Sequence, residues 1–177
     1  MKISFISVFF LTVLFGHAQG NSELISLKDY YRGESVIFKK DYTPLVNRSN
    51  FKESFTPTKE QIKEVEKMLI AQYNSSKVSM VDSLRKKNPN ENLVYPKPAN
   101  NVKRKLCKYK RQYFGYIAKT GDTIISVNLL NFKNKRKANK YFSNWKTEYV
   151  VGFDGFYYDN MEYFNANLTK NKLIVGN

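Results

Sequence analysis

The chain has 177 residues, with 30 Lys and Arg against 15 Asp and Glu for a formal net charge of +15, and it is rich in Phe and Tyr, 13 of each. Its one cysteine, Cys107, excludes an intramolecular disulfide, and its one histidine, His17, lies in a segment that reads as a removable leader. A mature chain without His and with one Cys has no histidine triad or dyad, no Cys–His nucleophile and no thiol or imidazole zinc site.

The leader is MKISFISVFFLTVLFGHAQG. Lys2 gives a short positive start, Ile3 to Phe15 is nearly all apolar, and Gly16 and Ala18 place small residues at −3 and −1 of a cut after Ala18. That is the layout of a secretory signal peptide, and the run is short of the roughly 18 to 20 apolar residues a membrane span needs. The expected form is an exported protein, periplasmic or secreted, with no transmembrane segment. Cleavage leaves 159 residues, enough for one domain with its own core. The expected division is a signal peptide at 1–18, an extended N-terminal segment at 19–55 and a single domain at 56–177.

In chain order, Ser35 to Phe38 is the first short strand candidate. TPTKEQIKEVEKMLIAQYN predicts the main helix, with Thr58 as cap, Gln61 as capping-box partner, and Ile62, Val65, Leu69 and Tyr73 as one apolar stripe. Asn74-Ser75-Ser76 predicts its end, and Val78, Val81 and Leu84 a second, weaker helix. KKNPNENLVYPKPANN is a loop by composition.

Tyr109 to Ala118 and Thr123 to Leu130 then alternate as two strands around the turn KTGD, an antiparallel hairpin. NKRKANKYFSNWK predicts a short helix presenting Ala138, Tyr141, Phe142 and Trp145. TEYVVGF and MEYFNANL predict third and fourth strands, with turns at Asp154-Gly155 and Asp159-Asn160, and KLIV adds an edge. The implied fold is α+β: an N-terminal helix packed on a four- to five-stranded, mostly antiparallel sheet, an element order that a cystatin-like or related helix-on-curved-sheet arrangement fits.

No cofactor-binding or metal-binding motif is present, and the surviving enzymatic options are thin. Ser49-x-x-Lys52, Ser143-x-x-Lys146 and Lys119-Thr120-Gly121 match two signatures of penicillin-recognising serine enzymes, but the third, Ser-Asp-Asn, is absent. Asp154, Asp159 and Glu162 form one late carboxylate cluster whose spacing matches no EF-hand, and their Asp-Gly and Asp-Asn contexts favour turns. The expectation is a protein that is not an enzyme.

The order Tyr113-Phe114-Gly115-Tyr116, then Gly121, Ile124-Ile125, Trp145, Asp154-Gly155 and a closing LIVGN resembles small exported proteins of unknown function from Bacteroidota. The resemblance covers about residues 56 to 177. It departs from that pattern at Phe156, where a second Gly is usual, and at Gly176-Asn177, where the order is inverted. It implies export and a compact domain, and it brings no catalytic residue.

The charge is unevenly placed. Residues 92–147 hold 14 basic residues and one acid, Asp122, whereas 148–177 hold two basic residues against four acids. Lys103, Arg104, Lys105, Lys108, Lys110 and Arg111 precede the body of the hairpin, and Lys133, Lys135, Arg136, Lys137 and Lys140 follow it. Two such clusters flanking one hairpin are placed to converge at the same sheet edge or end. A patch of that kind attracts polyanions. For an exported chain the partners are an anionic lipid, an acidic polysaccharide or an acidic protein, and nucleic acid is a poor match. The alternative is an inhibitor or adaptor that meets a protein partner through the hairpin loops, above all the turn at 119–122.

Overall fold

The computed structural model describes residues 21–42, 50–152 and 155–176. The leader, Ser49 and Asp154 lie outside the described residues. Seven strands and four helices follow in the order β1 (Ser22–Ile25), β2 (Ser35–Phe38), β3 (Phe51–Phe55), α1 (Lys59–Lys87), α2 (Val102–Leu106), β4 (Tyr109–Ala118), β5 (Thr123–Asn131), α3 (Lys135–Tyr141), α4 (Gly155–Asn160), β6 (Met161–Asn167) and β7 (Lys172–Val175). They form one sheet of order β1-β2-β4-β5-β6-β7, with β3 also paired to β4. All pairings are antiparallel except β2 with β4. The α+β class and the mostly antiparallel sheet agree with the sequence.

Two expectations are corrected. The main helix is not N-terminal, because three strands precede it, and the sheet has seven strands rather than four or five. The segment read as extended supplies β1, β2 and β3. β4 makes room for two of them along one edge: β2 pairs with Arg111 to Phe114, and β3 with Gly115 to Ala118. Gly115 sits where β3 approaches closely; an added Cβ would lie 2.8 Å from the Phe55 ring.

Helix α1 starts as expected. Thr58 Oγ1 accepts from the Gln61 N–H at 3.2 Å, and Gln61 Oε1 accepts from the Thr58 N–H at 2.9 Å. It does not end at Asn74. Ser75 and Ser76 return their hydroxyls to the carbonyls of Gln72 and Tyr73, and Asn74 turns outward to hold the loop, donating to the Ala99 carbonyl and accepting its N–H. With those side chains satisfied by backbone, nothing competes with the helix, and it runs 29 residues.

The sheet is covered on both faces, which departs from a two-layer, cystatin-like arrangement. On one face, Ile62, Val65, Leu69 and Tyr73 of α1 pack on Tyr113, Ile125, Val127, Leu129, Phe164 and Leu173. On the other, Ala138, Phe142, Trp145 and Tyr149 pack on Val36, Phe38, Phe114 and Leu130. Phe114 is fully buried there, so its ring is core.

TEYVVGF is not a strand over its described part, residues 147–152. Its backbone is held by side chains of the sheet. Gln112 Nε2 donates to the carbonyls of Trp145 (2.6 Å) and Glu148 (2.7 Å), and its Oε1 accepts from the Val150 N–H at 2.8 Å. Asn128 Nδ2 donates to the Val150 carbonyl at 2.7 Å. Two amide side chains thus do what a neighbouring strand would have done. In place of the turn expected at Asp159-Asn160 there is α4, whose Phe156 stacks on Tyr141 at 4.6 Å between centroids.

Candidate functional site

The hairpin pairs Tyr109 with Asn131, so the residues just before β4 and just after β5 emerge side by side at the open end of the sheet. Asn74 fixes Ala99 from the α1 side, which delivers α2 to the same end. Between these segments lies a groove of about 610 Å³, whose walls include Asn101, Arg104, Lys105, Lys108, Phe132 and Lys133. A second hollow of about 510 Å³ shares Asn131 and Lys133 with it and continues to Asn134, Lys135 and Asn160. The two basic clusters of the sequence therefore meet.

They do not meet with every member. Arg104, Lys105 and Lys108 come from one side and Lys133 and Lys135 from the other. Lys103, Arg136, Lys137 and Lys140 are exposed on α2 and α3 outside the lining. Lys110 points to the opposite sheet face, with its ammonium 4.5 Å from the Phe132 centroid and 4.4 Å from that of Trp145. Its burial there lowers its pKa.

Arg111 has to be withdrawn as a ligand residue. It is fully buried, its Nε and Nη2 donate to the two carboxylate oxygens of Glu66 at 3.1 and 3.2 Å, and Nη1 donates to the Tyr109 carbonyl. The Tyr31 ring lies 4.2 Å from its guanidinium, and Tyr113 donates to Glu66 at 2.8 Å. The residues of Arg111-Gln112-Tyr113 thus all serve as buried polar connectors.

Beside the groove, Glu162 of β6 lies against two of its lining residues, Lys105 and Tyr109. Lys77 approaches it at 2.7 Å and Lys105 at 3.1 Å. Tyr73 donates to it at 2.6 Å and Tyr109 at 3.2 Å, and Lys105 also donates to the Tyr73 hydroxyl. Burial raises the Glu162 pKa, but Lys77, Tyr73 and Lys105 outweigh it, and the net result lies below the usual 4.5. Burial and the Glu162 charge push both the Tyr73 and Tyr109 hydroxyls well above 10.

The other chemical candidates lie apart. Lys146 is paired with Glu34 at 2.7 Å, and Ser143 is exposed. Asp159 is exposed on α4 while Glu162 faces α1, so these two carboxylates do not share a cleft. Among the described residues no group of three or more His, Cys, Asp or Glu is arranged to hold a metal ion, and no helix is long and apolar enough to cross a membrane.

Charge counting did not single out the groove's asparagines, Glu162 or Lys77. A signal for two of them was present: Asn101 and Asn134 each precede a short basic helix as its N-cap. No protein-family model matches the chain, and no curated protein or solved structure matches it.

Proposed function

We propose that the protein is an exported, non-enzymatic binding domain that holds an anionic envelope component in the groove at the open end of the β4–β5 hairpin. The observation that carries this reading is the convergence of Arg104, Lys105 and Lys108 with Lys133 and Lys135. Gathering like charges at one place works against the folded state, and Glu162 offsets it at Lys105. Such an arrangement raises the local concentration of an anionic partner and speeds its encounter. Neither enzymatic route has comparable support, since Lys146 is committed to Glu34 and the Glu162 carboxylate is surrounded by four donors.

The test is binding of the protein to anionic vesicles, acidic glycans and envelope extract at low and moderate salt, beside a variant with Arg104, Lys108, Lys133 and Lys135 changed to Glu. These four side chains are exposed, so the variant should fold. Binding is expected to fall steeply with salt and to vanish in the variant. Salt-tolerant capture of one protein that depends on residues 119–122 would replace this reading with the adaptor.

A further inference from the structure

Helices α3 and α4 make an outer layer on the sheet face opposite α1. Phe156 stacks on Tyr141 at 4.6 Å, the Tyr157 hydroxyl donates to the Tyr141 carbonyl at 3.2 Å, and Asn160 comes beside Asn134 and Lys135. α4 therefore runs back along α3. Four of the seven residues of α3 are cations and none is an acid. At about 3.6 residues per turn, Arg136, Lys137 and Lys140 fall on the side away from Ala138 and Phe142, and all three are exposed. Among the described residues none of these cations is in an ion pair. Arg136 and Lys140 stand four apart, a like-charge spacing that weakens a helix, so the charge is not there for the stability of α3.

The same layer carries exposed apolar surface. Tyr158 is 82% exposed, Tyr141 40% and Val151 38%. Val151 belongs to this layer because its neighbour Gly152 lies against the Tyr157 ring, where an added Cβ would come within 2.2 Å. Asp159 is the one acid of the two helices. We infer that the α3–α4 layer seats the protein on an anionic lipid bilayer. Arg136, Lys137 and Lys140 meet the lipid phosphates, while Tyr141, Val151 and Tyr158 enter the headgroup boundary. Cations alone would suit any polyanion, and the selection comes from what stands among them. Tyrosine gains at a bilayer interface, where its ring is apolar and its hydroxyl wet, and an aliphatic Val gains little from a soluble acidic chain. A protein partner fits less well, since lysine is depleted in protein interfaces and three of the four α3 cations are lysines. The inference goes beyond the groove, which none of Arg136, Lys137 and Lys140 lines.

The test uses the chain from residue 19, because the apolar run before it would itself enter a bilayer, and every described element follows it. Binding is measured by co-sedimentation with vesicles of phosphatidylcholine alone and with phosphatidylglycerol added, beside heparin and polyglutamate as soluble polyanions. A cation close to an anionic leaflet contributes about fivefold in affinity. Arg136→Gln with Lys137→Gln and Lys140→Gln should therefore weaken binding to the mixed vesicles roughly 100-fold at unchanged melting temperature. Tyr158→Trp reports entry of the ring, since Trp145, the only native tryptophan, is buried. Its emission should shift to the blue on the mixed vesicles and not with heparin or polyglutamate. No binding to the mixed vesicles, binding that the three-glutamine variant keeps, or Tyr158→Trp emission unmoved on bound vesicles overturns the bilayer surface. Vesicle binding lost only when Arg104, Lys108, Lys133 and Lys135 are changed to Glu also overturns it, and leaves the anion groove standing. Soluble polyanions held as tightly as vesicles by the same three α3 cations would replace the bilayer with a polymer.

Discussion

Two glutamates on the α1 side of the sheet each hold basic partners and tyrosine hydroxyls, and they end in opposite roles. Glu66 and Arg111 are sealed: both side chains are out of contact with water, and their donors and acceptors are matched by Tyr113 and the Tyr109 carbonyl. Glu162 with Lys77 and Lys105 sits beside the groove, where its side chain is 18% exposed and that of Lys105 36%. The groups are of the same kind, and Lys105 and Arg111 belong to one basic run. Depth alone separates an internal connector from a surface that a ligand can reach. A sealed pair cannot exchange its partner without leaving a bare charge in the core, whereas a partly exposed pair can.

The comparison breaks most sharply at Glu66. Replacing Glu66 with Ala leaves the Arg111 guanidinium buried without its counter-ion and should cost about 3 to 5 kcal/mol in urea unfolding. A loss below about 1 kcal/mol would mean that water reaches Arg111 and that the pair is not sealed. Polyanion binding by the folded fraction should be unchanged.

Gln112→Ala tests the other face. It strands the Val150 N–H and the carbonyls of Trp145 and Glu148, at an expected cost of about 1 to 3 kcal/mol. The loss should appear first as faster hydrogen exchange in residues 145–150, with α1 still protected.

Glu162→Gln sharpens the partly exposed side. With its lysines partly solvated, stability should change by about 1 kcal/mol or less. Lys105 then loses its internal counter-charge, so polyanion affinity should rise by roughly 2- to 10-fold at low salt. An unchanged affinity would show that Lys105 takes no part in binding.

pH addresses both glutamates through their neighbours. The folded pKa of Glu162 is lowered, so its contribution to stability is present above its unfolded pKa and is lost as pH falls through the folded one. The tyrosines move the other way. Burial raises Tyr113 beside Glu66, and Tyr73 and Tyr109 beside Glu162. Their contribution is complete below the free tyrosine pKa of 10.0 and is lost as pH rises through the folded values. Stability should therefore be flat at neutral pH and fall at both extremes. On the alkaline side, tyrosinate absorbance should appear together with unfolding rather than before it.

Much of the frame was legible in the chain. The capping box at Thr58 and Gln61, the stripe from Ile62 to Tyr73 and the hairpin around 119–122 are short-range patterns whose physical causes lie within a few residues of each other. So was the convergence of the two basic clusters, because a hairpin returns the chain to where it started. What the chain concealed was set by distant partners. Asn74 reads as a helix stop until the Ala99 backbone takes its side chain. Residues 147–150 read as a strand until Gln112 and Asn128 satisfy their backbone.

Sequence by itself determined composition, the scarcity of catalytic residue types, the main helix and hairpin, and the concentration of charge in residues 92–147. Tertiary structure decided which of those charges face water. Arg111 and Lys108 stand three residues apart in one basic run, and the local pattern puts Arg111 in a strand without showing what would meet its charge. Only the arrival of Glu66 from α1 makes burial of Arg111 tolerable, and among the described residues no carboxylate pairs with Lys108. A cation is structural where the fold brings it a buried counter-charge, and it is available for binding where the fold does not.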